Sequence, residues 1–439
     1  MATQPKLAIP TELRNRILFT LAILAVYRVG VAVPTPGVDG TAVLEFFKQQ
    51  SGGIFGLFNT FTGGALEKFS VLALGIMPYI SASIIFQLLQ SAVPYLEALK
   101  KEGDAGRKKI NQYTRYATVG LAIVQGYAMA SWFVGSSASG TPLVRTPYFA
   151  GIPFEIMTTI TLTAGTCFIM WLGELITEKG IGNGASLIIF AGIAAGIPSG
   201  TMNLIEMVKS GDMSGVVALA LVLGMVAIIG AIVYVEVAQR RIPIQYSSRG
   251  AGKHAMTQQS SHLPLKVNFA NVIPPIFASS ILMFPATIAQ FVEAPWVQNM
   301  QEQLTPSGSI YNVFFVGLIV FFCFFYTEIQ FNPTEVADNL KKYGGFVPGV
   351  RAGKNTADYI KKVLDRLTVS GAIYLSVICI LPTILIDKMN LPFYFGGTSL
   401  LILVGVALDT SQQIQSHLIT AKYDGVVGGT KIKSRRVRY

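Results

Sequence analysis

Ten apolar runs, each about long enough to cross a bilayer as a helix, punctuate this chain near 17–34, 71–93, 116–134, 154–173, 185–204, 215–235, 269–289, 311–327, 367–386 and 391–408. About 20 consecutive apolar residues span the hydrocarbon, and a helix satisfies its own backbone N–H and C=O groups where no water can. The fifth run is the weakest, diluted by Gly, Ser and Pro198. Since 51% of the residues are hydrophobic and only 13% charged, the expected solvent is lipid. The first run is full length and opens with Arg14 and Arg16, so it reads as a retained span rather than a cleaved signal. The expected fold is all-α and multi-spanning, with ten transmembrane helices.

Charge fixes the expected orientation. With the N-terminus inside, the inner segments carry 28 Lys and Arg and the outer ones five: Lys48, Lys68, Arg145, Lys209 and Lys388. This is the asymmetry of the positive-inside rule, and it puts both termini in the cytoplasm. Much of the charge is accounted for by attraction to anionic headgroups. Two inner loops, 239–268 and 332–366, are longer than a helix connector needs, about 2 to 8 residues. The first holds Arg240, Arg241, Arg249 and Lys253 without an acid, which also suits a negatively charged partner such as ribosomal RNA or an acidic protein. The basic tail from Lys431 to Tyr439 reads as lipid-facing or disordered, with a partner contact as the alternative.

The interior lacks the chemistry of most alternatives. Coupled transporters place ionisable groups at membrane depth. Here Glu174, Glu236 and Glu328 fall at or beyond the inner ends of spans, and Arg28, toward the outer end of the first, reads as a snorkelling or helix-packing residue. His254, His262 and His417 have no metal-ligand spacing. Cys167, Cys323 and Cys379 lie inside spans and read as small buried hydrophobes. The run Gly180-Ile181-Gly182-Asn183-Gly184 lacks the strand and Lys-Ser/Thr of a phosphate loop and reads as a tight turn. Neither an enzyme, a metal site nor a cofactor is expected.

One segment echoes another. Ile76-Met77-Pro78-Tyr79-Ile80-Ser81-Ala82-Ser83 matches Val272-Ile273-Pro274-Pro275-Ile276-Phe277-Ala278-Ser279 with Pro, Ile, Ala and Ser in step. Chance likeness between apolar segments competes with a duplication. If real, the echo pairs the second span of each five-helix half, so that inverted 5 + 5 halves set two proline-broken helices face to face across a pseudo-twofold axis. The segment 55–69, apolar and interrupted by Gly63-Gly64, is too short to span. It fits either an interfacial loop or a half-helix folded back into the membrane.

The strings Gly75-Ile76-Met77-Pro78-Tyr79-Ile80-Ser81-Ala82-Ser83-Ile84-Ile85 and Trp171-Leu172-Gly173-Glu174 through Gly184 closely resemble the SecY family of protein-conducting channels. So do Ser261-His262-Leu263-Pro264-Leu265-Lys266-Val267-Asn268, Asn332-Pro333 to Arg351 and Pro392 to Ser399, so the resemblance runs almost end to end. It implies two halves, 1–205 and 206–439, around a central pore narrowed by Ile76, Ile80, Ile189, Ile276 and Ile402. The sixth ring position, often Ile in the family, is Ala185 here, to be compensated by the plug or by Leu187. The implied plug covers about 57–67, including Phe58, Asn59, Thr60, Phe61, Gly63, Gly64 and Leu66, and with this resemblance the half-helix reading outranks the loop. Ser81, Gln87, Ala278 and Phe284 map to a lateral gate between spans two and three and spans seven and eight. Polar Gln87 reads either as a group satisfied differently in closed and open gates or as an ordinary helix-to-helix hydrogen bond.

The resemblance also implies partners and energy supply. Arg241, Arg249, Lys253 and Arg351 would receive the SecA ATPase or a translating ribosome. SecE would clamp the halves, with SecG peripheral, in a bacterial cytoplasmic membrane. Signal peptides and unfolded precursor chains would be the cargo, and ATP or translation the drive, so the chain itself needs no cofactor. The rival from another class is a secondary transporter of a small solute, whose broken helix pair would bind that solute.

Overall fold

A computed structural model describes residues 10–49, 54–138, 141–146, 148–149, 151–246, 261–289, 308–389 and 396–428. The chain is predominantly helical. Ten helices coincide with the ten apolar runs: α1 (Thr11–Val31), α4 (Met77–Ala92), α6 (Asp104–Gly135), α7 (Phe154–Lys179), α8 (Gly184–Ser210), α9 (Gly215–Val237), α10 (Ile273–Ala289), α11 (Ser309–Gln330), α13 (Lys354–Met389) and α14 (Gly397–Gly428). Shorter helices are α2 (Gly40–Gln49), α3 (Ile54–Thr62), α5 (Pro94–Lys101) and α12 (Pro333–Lys342). Among the described residues, six helices are each apolar and long enough to cross a membrane alone.

Local chemistry sets the helix ends. Asn183 caps α8 by accepting from the Ser186 N–H, and Gly211 ends it in the left-handed region at φ 84°. Ser214 caps α9 through the Val217 N–H, and Asn332 caps α12 through the N–H groups of Thr334 and Glu335. The weakest run proves to be one continuous helix despite Pro198. Within the helices, Thr114, Thr118, Thr368 and Ser376 return their hydroxyl protons to the carbonyl one turn earlier, which satisfies those donors without water.

Two expectations need correction. First, the run at 71–93 is helical only from Met77, with residues 71–76 forming turns. Proline starts this helix instead of breaking it. Pro78 is the second residue of α4 and Pro274 the second of α10, a position where the missing N–H costs nothing. Second, the inner loop 94–115 is largely helix: α4 turns by 95° into α5, and α6 begins at Asp104. The two long basic loops, in addition, come together. Their strands β5 (Gln239–Tyr246), β6 (Ser261–Lys266) and β7 (Gly345–Phe346) form one antiparallel sheet in the order β6-β5-β7. Its inward residues Ile242 and Leu265 pack with Val347 and with Ile360 of α13. Small strands on the opposite face, β1 (Ser137–Ala138) with β2 (Thr141–Pro142) and β3 (Tyr148–Phe149) with β4 (Ile152–Pro153), tie α6 to α7. There Asp39 accepts from the Thr41 hydroxyl and N–H and faces Arg145, contacts that hold its carboxyl below the ordinary range.

The sheet feeds directly into α10 through residues 267–272, and that joint is pinned. The buried Asn268 donates to the Glu236 carboxylate at 2.6 Å, and its amide also reaches the carbonyl of Asn271 at 3.1 Å. Asn271 itself is left-handed, at φ 53°. Asn268→Leu would leave the buried Glu236 without this bond, at a cost of about 1.5–3 kcal/mol. We expect a lower thermal midpoint for the detergent-solubilised chain, read by tryptophan fluorescence, and a smaller loss for Asn268→Gln.

Candidate functional site

Four of the six proposed ring positions, Ile76, Ile80, Ile189 and Ile402, are buried in one continuous apolar cluster. Ala185 and Ile276 are partly buried against the same cluster. They arrive from four directions: Ile76 and Ile80 from the start of α4, Ala185 and Ile189 from α8, Ile276 from α10 and Ile402 from α14. Phe61 and Ala65 of the 55–69 segment lie in this cluster, as does Leu187. Leu187 and the 55–69 segment, named above as compensating Ala185, thus belong to the same cluster that Ala185 packs against.

The echo between α4 and α10 extends beyond the matched side chains. Gly75 stands at φ 58° and Asn271 at φ 53°, at the same register of the echo, so each helix is entered through a left-handed residue. Ile80 and Ile276 both meet the ring cluster, while Ala82 and Ala278 are both fully buried. The two helices pack against each other, α4 also against α6 and α10 against α11. Ser81 is half-buried on α4. The Gln87 amide donates to Ser83 Oγ at 3.3 Å within its own helix. Phe284 belongs to α10, with its side chain outside the described residues.

The 55–69 segment is a half-helix, α3, followed by a turn. Gly63 and Gly64, at φ 67° and 83°, reverse the chain, and the Gly64 N–H returns to the Asn59 carbonyl at 2.9 Å. Asn59 braces the turn from its other side by accepting from the Glu67 N–H at 3.0 Å. Phe58 and Thr60 are half-buried on α3, and Leu66 packs in a second apolar cluster with Phe69, Leu74 and Phe133. The turn seats on α8 glycine to glycine: a methyl group on Gly63 would lie 2.6 Å from the Gly192 Cα. One on Gly192 would lie 3.2 Å from the Gly63 nitrogen and from the Phe61 carbonyl oxygen. Two α1 residues complete the seat, Tyr27 donating to the Thr62 carbonyl at 3.0 Å and Arg28 to the Gly63 carbonyl at 2.8 Å. Sequence reasoning missed both, and only the presence of a charge in an apolar run hinted at Arg28.

On the basic face, Arg241 lies exposed on β5 and Arg351 exposed just before α13. Arg249 and Lys253 lie outside the described residues, as does the 431–439 tail. A recess of about 280 Å³ is lined in part by Asn183, Ser186, Asp409, Thr410 and Gln413. At its rim the Gly182 N–H donates to the Gln413 side chain at 2.9 Å, joining the α7–α8 turn to α14.

Helices arranged in this way, six of them among the described residues long and apolar enough to cross a membrane alone, define a multi-span membrane protein with one large apolar cluster shared by α4, α8, α10 and α14. The SecY family model matches residues 70–411. The Protein translocase subunit SecY of Escherichia coli (strain K12) is 46% identical over 443 residues, 99% of each chain. That of Aquifex aeolicus (strain VF5) is 47% identical over 418 residues, 95% of this chain and 97% of its own. The chain belongs to the SecY family. Its fold matches a solved structure described as "The structure of a protein conducting channel" with a TM-score of 0.65 and 18% identity, over 100% of this chain and 97% of the other. A second, "Sec61 in the Canine ribosome-channel complex from the endoplasmic reticulum", matches with a TM-score of 0.63 and 16% identity at the same coverage. The family is one of translocation channels rather than a class of catalysts.

A branched side chain at the glycine seat tests its fit. Gly192→Val should push the α3 turn off α8 and cost about 1–3 kcal/mol by overpacking. Limited proteolysis should then cut faster within residues 54–69, with Gly196→Val, where nothing lies within contact distance, as the control.

Proposed function

We propose that this chain is the pore subunit of a bacterial protein translocase, passing unfolded secretory polypeptides across the cytoplasmic membrane and releasing apolar segments sideways into it. The observation that carries the reading is the convergence of the ring positions from four elements on one apolar cluster that also holds Phe61 and Ala65 of the half-helix. Aliphatic side chains offer ions no charge or hydrogen bond, yet they can close around a chain of any sequence. A channel for arbitrary polypeptides needs that lack of specificity.

In this reading the ten spans form inverted halves, 1–205 and 206–439, with both termini cytoplasmic. The matched entry of α4 and α10 through left-handed residues supports the duplication. Residues 57–67 are the plug, and α4 against α10 is the lateral gate through which apolar segments partition into lipid. The sheet uniting the two basic loops receives SecA or the ribosome through Arg241, Arg249, Lys253 and Arg351. SecE clamps the halves, SecG lies at the periphery, and anionic lipids meet the remaining basic residues. The chain is not an enzyme, and the motor or translation supplies the energy.

The test is reconstitution with SecE in liposomes, followed by addition of SecA, ATP and a signal-bearing precursor. We expect the precursor to become protease-protected only when its signal peptide is present. Protection should fall at least tenfold for Arg351→Glu, which reverses a charge at the docking surface. Absence of protection in a folded complex with active SecA would sink the reading.

A further inference from the structure

The seat of α3 contains an arrangement that packing alone does not require. A helix leaves its last carbonyls without intrahelical partners, and its C-terminal end carries partial negative charge. For α3 that end is Thr62 and the adjoining Gly63. The two carbonyls are met from outside by consecutive residues of α1: Tyr27, 1% exposed, through its hydroxyl, and Arg28 through its guanidinium. Gly63 also has to be glycine for this approach, since a methyl there would sit 3.0 Å from Arg28 Nη1 and 2.6 Å from the Gly192 Cα.

We propose that Arg28 is the positioning residue that latches the plug, acting as a cationic C-cap supplied by a different helix; the proposal rests on the reading of residues 57–67 as a plug. The electrostatics favour a two-position device. With α3 seated, the charge faces a helix C-terminus, where a cation is stabilised. When α3 leaves, the same charge stays behind in an apolar run and must find another acceptor, because an unpaired cation in a low-dielectric setting is costly. Water entering the opened pore or the backbone carbonyls of a passing polypeptide supply such acceptors. An empty, dry pore does not. The latch therefore releases when something polar fills the channel and recloses when it empties. Tyr27, neutral and bonded to the neighbouring carbonyl, sets the register of the contact without adding charge.

The experiment measures small-ion leak through the complex with SecE, reconstituted in liposomes without SecA or precursor. Four forms are compared: the unaltered chain, Arg28→Met, Arg28→Lys and a deletion of residues 57–67. Loss of a charge-assisted hydrogen bond shifts the closed-to-open balance by roughly tenfold, so Arg28→Met should raise resting leak about tenfold, and Arg28→Lys, which keeps the charge, by much less. The thermal midpoint of both point variants should stay near that of the unaltered complex. High leak in the deletion with none in Arg28→Met overturns the latch and leaves the plug standing. No increase in either overturns the plug reading itself. Equal leak from Met and Lys variants together with a lowered midpoint makes Arg28 a structural residue only and also overturns the proposal.

Discussion

A polypeptide backbone inside a bilayer has no water to bond, and the whole architecture follows from how that demand is met. Regular helices meet it internally. The segment from Gly63 to Ile76 is not helical, yet it lies in the protein interior between α3 and α4. Its backbone is bonded piece by piece to α1 and the residues that follow: Thr35 donates its N–H and hydroxyl to the Phe69 carbonyl, and the Val71 N–H reaches the Val33 carbonyl. Tyr27 and Arg28 take the carbonyls of Thr62 and Gly63 at the end of α3. Irregular backbone survives at depth only where protein supplies partners. Here α1 and the residues just after it act as that supplier, so they organise the end of the half-helix and the turns that follow it.

The placement of the buried isoleucines follows from the same economy. Ile76 and Ile80 sit where α4 begins, and Ile276 near the start of α10, because both helices start inside the protein rather than at its surface. Starting a helix at depth exposes N–H groups, and proline near the first position removes one of them. The recurrence of proline and of left-handed Gly75 and Asn271 at matching places is thus a solution to a solvation problem, reached twice.

Hydropathy made the long helices readable, since a run of about 20 apolar residues is what a helix in lipid requires. The echo was readable because Pro, Ile, Ala and Ser kept step. The turn at 71–76 was not, because Val71, Leu72, Ala73 and Leu74 are as apolar as the helix they precede. The acceptor of Arg28 was invisible for a different reason: it is a backbone carbonyl, which every residue carries. The partner of Gln87 was not legible, because a polar side chain in a span suggests a bond to another helix as readily as the one it makes to Ser83 one turn earlier. The union of the two basic loops rests on a two-residue strand, Gly345–Phe346, too short to leave a periodic signal.

That union has a consequence for the way such surfaces diverge. Because β7 pairs with β5 through Gln245 and Tyr246, the two basic loops share backbone hydrogen bonds and a common apolar underside. A change of length or twist in either is felt in the register of the other. The two loops consequently form a single inherited unit. A chimera that grafts one of them from a relative would carry half of a sheet into a setting shaped for the other half, whereas exchange of both, with the start of α13 beneath them, would move a complete surface.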